Sequence, residues 1–253
     1  MEVYRLNETE RVKYFMEKAV QDTVDEYNAK EENKFKFAKP ICGYADTTDV
    51  RFDAFFTRLL CQHPKALYRP GCCAFVFYLP FEEDQVGNYD AFYAGMRLAM
   101  EVNRAVREAL RWQGRLSSLC SSMADWSKVR CHYEWDNKIA GAIAGIGQMG
   151  PGGSFHTEAG CSGRVGVILF DKPFAEKEEL NNEQLEAMIQ KYYEDCKFQE
   201  AGNLECSDEM IAACPGGAIT KEGIDRKKCQ EYCMTINSAL PDPELCGKCF
   251  RCK

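Results

Sequence analysis

Apolar positions along this chain recur in two rhythms. Val12, Phe15, Met16, Ala19, Val20 and Tyr27 fall on one stripe of a 3.6-residue helix, and Asn7 followed by Glu10 forms a capping box ahead of it. A second stripe, Met96, Ala99, Val102, Val106 and Leu110, predicts a helix from about Tyr89 to Gln113, with Gly114 as its stop. Two short runs show no polar face. CCAFVFYLP (72–80), bounded by Pro70-Gly71 and ending at Pro80, and RVGVILFD (164–171) both predict buried strands. Asn181 to Tyr193 reads as a further helix. There is no internal repeat and no low-complexity segment.

Beyond residue 190 the pattern breaks down. Eight of the 15 cysteines lie from Cys196 onward, with few large aliphatic side chains among them. Such a segment is held together by coordination rather than by burial. A boundary is therefore expected near residue 190, dividing a domain over 1–190 from a small one over 191–253. The whole chain, 253 residues with 45% hydrophobic and 12% aromatic content, is rich enough in apolar side chains to exclude wholesale disorder.

Charge and the N-terminus narrow the setting. A net charge of −7 argues against nucleic acid or an acidic membrane as the main partner. The longest apolar stretches fall far short of a membrane span, and MEVYRLNETERVKYFMEK shows no apolar run with a cleavage site. A soluble cytoplasmic protein is expected, in a reducing compartment where clustered cysteines bind metal or carry redox chemistry.

The tail cysteines are Cys214-Pro215, Cys229, Cys233 and then Cys246, Cys249 and Cys252. A cubane iron–sulfur cluster takes three thiolates from a C-x2-C-x2-C loop and a fourth from a distant Cys-Pro. Cys246, Cys249, Cys252 and Cys214 satisfy that rule, and Ala218 and Ile219 can pack beside the cluster where Pro215 turns the chain away. A structural zinc knuckle built from Cys229-x3-Cys233 and Cys246-x2-Cys249 is the competing reading. A thioredoxin-like pair at Cys246-x2-Cys249 lacks a surrounding βαβ unit. A second cluster would need cysteines at Leu204, Ser207 and Met210, and Cys206 stands one residue out of register. One [4Fe–4S] cluster is expected, the site of a second being eroded. Cys196, Cys206 and Cys233 remain as spare thiols or irregular ligands.

Residues 145–150, GIGQMG, match the dinucleotide fingerprint G-x-G-x-x-G, which requires a strand before it and a helix after it. Here the preceding NKIAGAIAG reads as helix, and Pro151-Gly152-Gly153 forbids a helix directly afterwards. An open glycine loop against which a flat cofactor could lie is one alternative, and a plain helix-to-strand connection is the other.

Taken in order, these pieces resemble a known family. NKIAGAIAGIGQMGPGGSF…GCSGRVGVILFD is similar to the "AGLGWxGKN…G…LGEIxTD" stretch of epoxyqueuosine reductases and their reductive-dehalogenase relatives. The tail CPGGAI…IDRKKCQEY is similar to their "CPTxAI…DxxRCISY", and LYRPGCCAFVFYLPF to their "LPGAxSVIVxxLPY". The resemblance runs from about residue 40 to the end of the sequence. It implies an α/β (α+β) fold, with a nitroreductase-like core that binds cobalamin (FMN being the alternative for such cores) and a C-terminal ferredoxin-like [4Fe–4S] module.

The family template takes its cluster ligands from the positions of Cys214, Cys229, Cys246 and Cys249, so the two rules differ over Cys229 and Cys252. The cofactor segment becomes Gly145, Gly147, Gln148, Met149, Gly150, Gly153 and Ser154. The sequence also departs from the template. The aromatic residue of "GLGW" is Gln148 here, and "GKN" is Gly150-Pro151-Gly152. The expected catalytic aspartate falls near Cys131, with Asp125, Asp136 and Glu134 as the nearest acids.

The expected activity is a cobalamin-dependent oxidoreductase that passes electrons from the cluster to a bound corrinoid. Proton donors would come from His132, Tyr133, Glu134 or His156, with Tyr133 and Glu134 as the catalytic pair to test. Partners would be a ferredoxin- or flavodoxin-type low-potential donor and either a small-molecule substrate or a corrinoid protein. The runner-up functions are an electron-transfer protein that reductively activates a corrinoid protein, and a non-catalytic cobalamin carrier. Cys214→Ser should abolish the cluster and destabilise the tail, read as loss of iron and of visible absorption. Substitution of Cys61, Cys72, Cys73 or Cys120, expected to be small core hydrophobes, should leave the metal content unchanged.

Overall fold

The computed structural model describes residues 6–59, 63–86, 88–112, 119–122, 137–149, 155–173, 175, 180–190 and 208–236. Helix α1 (Glu8–Ala29) begins at the capping box read from sequence. The Asn7 side chain accepts from the Glu10 N–H, and the Glu10 carboxylate accepts from the Asn7 N–H, both at 2.9 Å. The chain then forms β1 (Ile41–Asp46), α2 (Val50–Leu59), α3 (Pro64–Leu67), β2 (Cys73–Pro80) and α4 (Tyr89–Trp112). β3 (Leu119–Ser122), α5 (Asn137–Ile143), β4 (Gln148–Met149), β5 (Phe155–His156) and β6 (Gly163–Phe170) follow. A helical run over 182–190, α6, starts at a second capping box between Asn181 and Gln184.

Four strands make one antiparallel sheet in the order β1-β2-β6-β3. Every residue of β2 is buried. One face carries Phe75, Phe77, Leu79, Ile168 and Phe170 into a cluster with α1 and α4, through Val12, Met16, Val20, Leu98, Val102 and Val106. The opposite face carries Ala74, Val76, Tyr78, Val165, Val167 and Leu169 against α2 and α5, through Phe52, Phe55, Ile139 and Ile143. Helices thus cover both faces, which is why an antiparallel strand here reads as an unbroken apolar run. Full burial of each phenylalanine contributes on the order of 2–3 kcal/mol. The fold is a mixed α and β one, as the sequence led us to expect. The domain boundary expected near residue 190 meets 191–207, outside the described residues.

Edge strand β1 was not anticipated from sequence. It alternates, with Gly43 and Ala45 on the α5 side and Cys42 and Tyr44 packed against the α1 cluster. A tight turn fastens its end. The Thr47 hydroxyl donates to the Gly71 carbonyl at 2.8 Å, and the Thr48 N–H donates to the Asp46 carboxylate at 2.7 Å.

Asp49 then starts α2, accepting from the Arg51 N–H at 2.9 Å. The Arg51 guanidinium grips the same carboxylate at 2.9 and 2.8 Å and donates to the Ile143 carbonyl at 3.2 Å, where α5 ends. The two side chains are 8% and 2% exposed, so neither charge has water to fall back on. Arg51→Met should cost about 3–5 kcal/mol in urea unfolding, because it strands a buried carboxylate. Adding Asp49→Asn to that variant should recover part of the loss.

Candidate functional site

Helix α7 (Asp208–Ala213) ends where Cys214 donates its N–H to the Ile211 carbonyl at 3.2 Å and Pro215 forbids another turn. Gly217, at φ +58°, adopts the left-handed conformation that turns the chain back. That reversal aims the Ala218 N–H at the Cys214 sulfur, 3.3 Å away. Ala218 and Ile219 are then buried, at 1% and 4% exposed, and begin a hairpin of β7 (Ile219–Thr220) and β8 (Gly223–Ile224).

Asp225 follows the hairpin, donating its N–H to the Ala218 carbonyl at 2.8 Å. Its carboxylate caps α8 (Arg226–Ile236) by accepting from Lys228 N–H at 3.0 Å. Cys229 sits in the first turn of α8, and Tyr232 lies on the same face three residues on. A Cβ added at Gly216 would be 2.7 Å from the Tyr232 Cβ, so the Cys214–Gly217 loop lies directly against α8. Neither Cys214 nor Cys229 is in a disulfide, and both are of intermediate exposure.

The structure thus brings two of the five predicted ligands onto adjoining elements. Cys246, Cys249 and Cys252 lie outside the described residues, as do Cys196 and Cys206, while Cys233 is on α8. Among the described residues no group of three or more His, Cys, Asp or Glu side chains could hold a metal ion. Two cysteine sulfurs outside any disulfide, that of Cys214 accepting from an amide, are donors that suit a soft metal. The contact of Gly216 with Tyr232 went unread in the sequence, although the paired glycines after Cys-Pro are its visible trace.

The cysteines of the larger region differ. Cys73 is fully buried, and the Cys72 sulfur donates to the Pro70 carbonyl at 3.4 Å. Burial, with the Glu17 carboxylate adding to it, pushes the Cys42 thiol up to about 12, so it stays protonated at neutral pH. Cys161 is disulfide-bonded. The side chains of Cys61 and Cys120 lie outside the described residues.

The glycine segment has helix before it and strand after it, the reverse of the dinucleotide arrangement, and that alternative is set aside. Helix α5 stops in a Schellman motif. Gly145 (φ +73°) donates to Ala142 and Ile146 donates to Gly141, both at 3.1 Å. Gln148 and Met149 then pair with His156 and Phe155. The Phe155 ring, 4% exposed, fills the space that side chains at Gly141 and Gly147 would need, coming within 2.6 and 2.7 Å of those Cβ positions.

Among the described residues of the segment, Gly145 and Gln148 are exposed, and nothing lies within 4 Å of where a Gly145 Cβ would be. His156, a candidate proton donor, is brought beside Gln148 by the hairpin register. Gly150, Gly153, Ser154, His132, Tyr133 and Glu134 lie outside the described residues.

A cleft of about 550 Å³ opens next to this segment, lined by Thr9, Lys13, Gly43, Tyr44, Ala144 and Pro173. The Lys13 ammonium lies 4.6 Å from the centre of the Tyr44 ring, and the Tyr44 hydroxyl donates to the Glu17 carboxylate at 3.0 Å. Burial and that carboxylate raise the Tyr44 phenol well above its usual range.

No protein-family model matches the chain, and no curated protein matches it. Among solved structures, the chain is similar to a selenomethionine-labelled epoxyqueuosine reductase, with a TM-score of 0.46 and 13% identity over 88% of this chain and 58% of that one. It is similar to the epoxyqueuosine reductase of Bacillus subtilis with its catalytic loop swung out of the active site (TM-score 0.46, 12% identity, 88% and 57% coverage). It is also similar to that of Streptococcus thermophilus (0.44, 12%, 92% and 64%). The chain therefore spans less than two thirds of the length of these structures. They belong to the family whose motifs the sequence resembles.

The packing predicts an order of glycine sensitivity. Gly145→Ala should cost roughly 1–2 kcal/mol for its left-handed backbone alone. Gly147→Ala, whose methyl would fall on the His156 carbonyl and the Phe155 ring, should lower the urea midpoint further.

Proposed function

We propose that this chain is a reductase whose cysteine tail, beyond about residue 190, carries one iron–sulfur cluster and whose larger region binds a corrinoid. The observation that supports it best is the loop at Cys214, where an amide is aimed at a free sulfur and the loop rests on the helix that bears Cys229. A zinc knuckle anchored on Cys229 and Cys233 makes no use of Cys214 or of that amide.

Cys214 and Cys229 would supply two of the four thiolates, with the rest drawn from Cys246, Cys249 and Cys252. A cubane cluster supplies single electrons at low potential when bound, and a corrinoid supplies a strongly reducing cobalt centre. This chain's own residues hold and orient. Gly145 offers bare backbone on the exposed end of α5, Gln148 is exposed, and His156, opposite Gln148 in the hairpin, would be a candidate proton donor. Tyr133 and Glu134 remain the pair proposed for catalysis. The proposed partners are a ferredoxin- or flavodoxin-type donor and a small molecule to be reduced.

An anaerobic visible spectrum with iron and sulfide assays, taken before and after adding cobalamin, tests this. A broad charge-transfer band, about four irons per chain and cobalamin retained through desalting are expected. A colourless protein holding zinc would overturn the reading. A brown protein that ignores cobalamin would retain the cluster and remove the corrinoid.

A further inference from the structure

Two thiolates on different elements can share one metal centre only if those elements are held at a fixed separation. Cys214 belongs to a loop after α7, and Cys229 belongs to α8, 15 positions along the chain. Two contacts tie the loop to the helix, and a third fixes the sulfur within the loop. The Ala218 carbonyl accepts from Asp225, the residue that caps α8. Ala218 donates back to the Cys214 sulfur, which fixes the sulfur relative to the loop. At the apex of the loop, Gly216 lies flush against Tyr232, with its missing Cβ 2.7 Å from the Tyr232 Cβ and 2.9 Å from its Cγ. Ordinary contacts of this kind begin at 3.4 Å, so the two surfaces touch with no room for one more carbon.

From this geometry we infer that Gly216 and Tyr232 form the positioning contact that sets the separation of Cys214 and Cys229. The inference rests on the proposed metal centre and adds to it how the ligands are spaced. Magnitudes support it. A methyl at Gly216 would have to move α8 or the loop by roughly 0.7 Å to reach normal contact, whereas metal–thiolate distances are held to within about 0.2 Å. The displacement exceeds what coordination tolerates but stays small for two surface elements. Gly217 differs, because nothing lies within 4 Å of its Cβ position and an alanine there strains only its own backbone.

The test compares Gly216→Ala, Gly217→Ala and Tyr232→Phe in the full chain. All are reconstituted anaerobically with iron and sulfide, then assayed for metal content and for the electron paramagnetic resonance spectrum of the reduced state. Gly216→Ala should lose at least fivefold in bound iron, or show a changed resonance, while its far-UV circular dichroism matches the parent. Gly217→Ala should lose less, and Tyr232→Phe should match the parent, because the ring's shape and not its hydroxyl makes the contact. Parent-like iron and resonance in Gly216→Ala would overturn the inference and leave the metal centre standing. A parent chain that binds zinc and loses it on Gly216→Ala would overturn the iron–sulfur reading and keep the positioning contact. A parent that binds no metal would overturn both.

Discussion

Strand β2 must hide both of its faces and both of its edges, and the larger part of the chain is arranged around that requirement. Its edges are taken by β1 and β6 in antiparallel register. Its faces are taken by α1 and α4 on one side and by α2 and α5 on the other. Because both helix layers press on the same eight residues, a change on either side is felt through a sheet only one strand thick. The buried Arg51–Asp49 pair belongs to this constraint. It ties the start of α2 to the end of α5, and so fixes where the glycine segment leaves the core.

The elements legible in the sequence are those whose burial follows a regular period. The α1 stripe and its capping box, the α4 stripe, and the apolar runs of β2 and β6 each carry their own signal. β1 carries none. ICGYAD mixes a glycine, a thiol and an acid, and its strand exists because β2 offers an open edge and Ile146 needs the space over Gly43. The two-residue strands β4, β5, β7 and β8 are too short to show alternation. The glycines of GIGQMG looked like a ligand motif because sequence cannot distinguish a glycine kept for a phosphate from one kept for Phe155.

The candidate metal site was legible as a set of residue types and illegible as a shape. The ferredoxin spacing rule picked out Cys214, because coordination needs particular atoms, and the family resemblance added Cys229. It could not reveal that Gly216 meets Tyr232, because that contact joins two elements through a missing side chain. The two regions also treat sulfur in opposite ways. In the core a cysteine is one more apolar group, and burial keeps Cys42 protonated. In the tail an amide is turned toward the sulfur of Cys214.

The order of the strands in the sheet has a consequence for biosynthesis. β2 can pair with β1 as soon as it emerges, but its other edge waits for β6, whose Phe170 faces Cys73 from roughly a hundred residues later. At a synthesis rate of about 5–20 residues per second, that edge stands open for roughly 5–20 seconds. For that interval eight consecutive apolar and aromatic residues form an unpaired template on the nascent chain, the kind of surface that recruits other strands. A chaperone that engages the nascent chain after residue 80 and releases it after residue 170 would cover the period of greatest exposure.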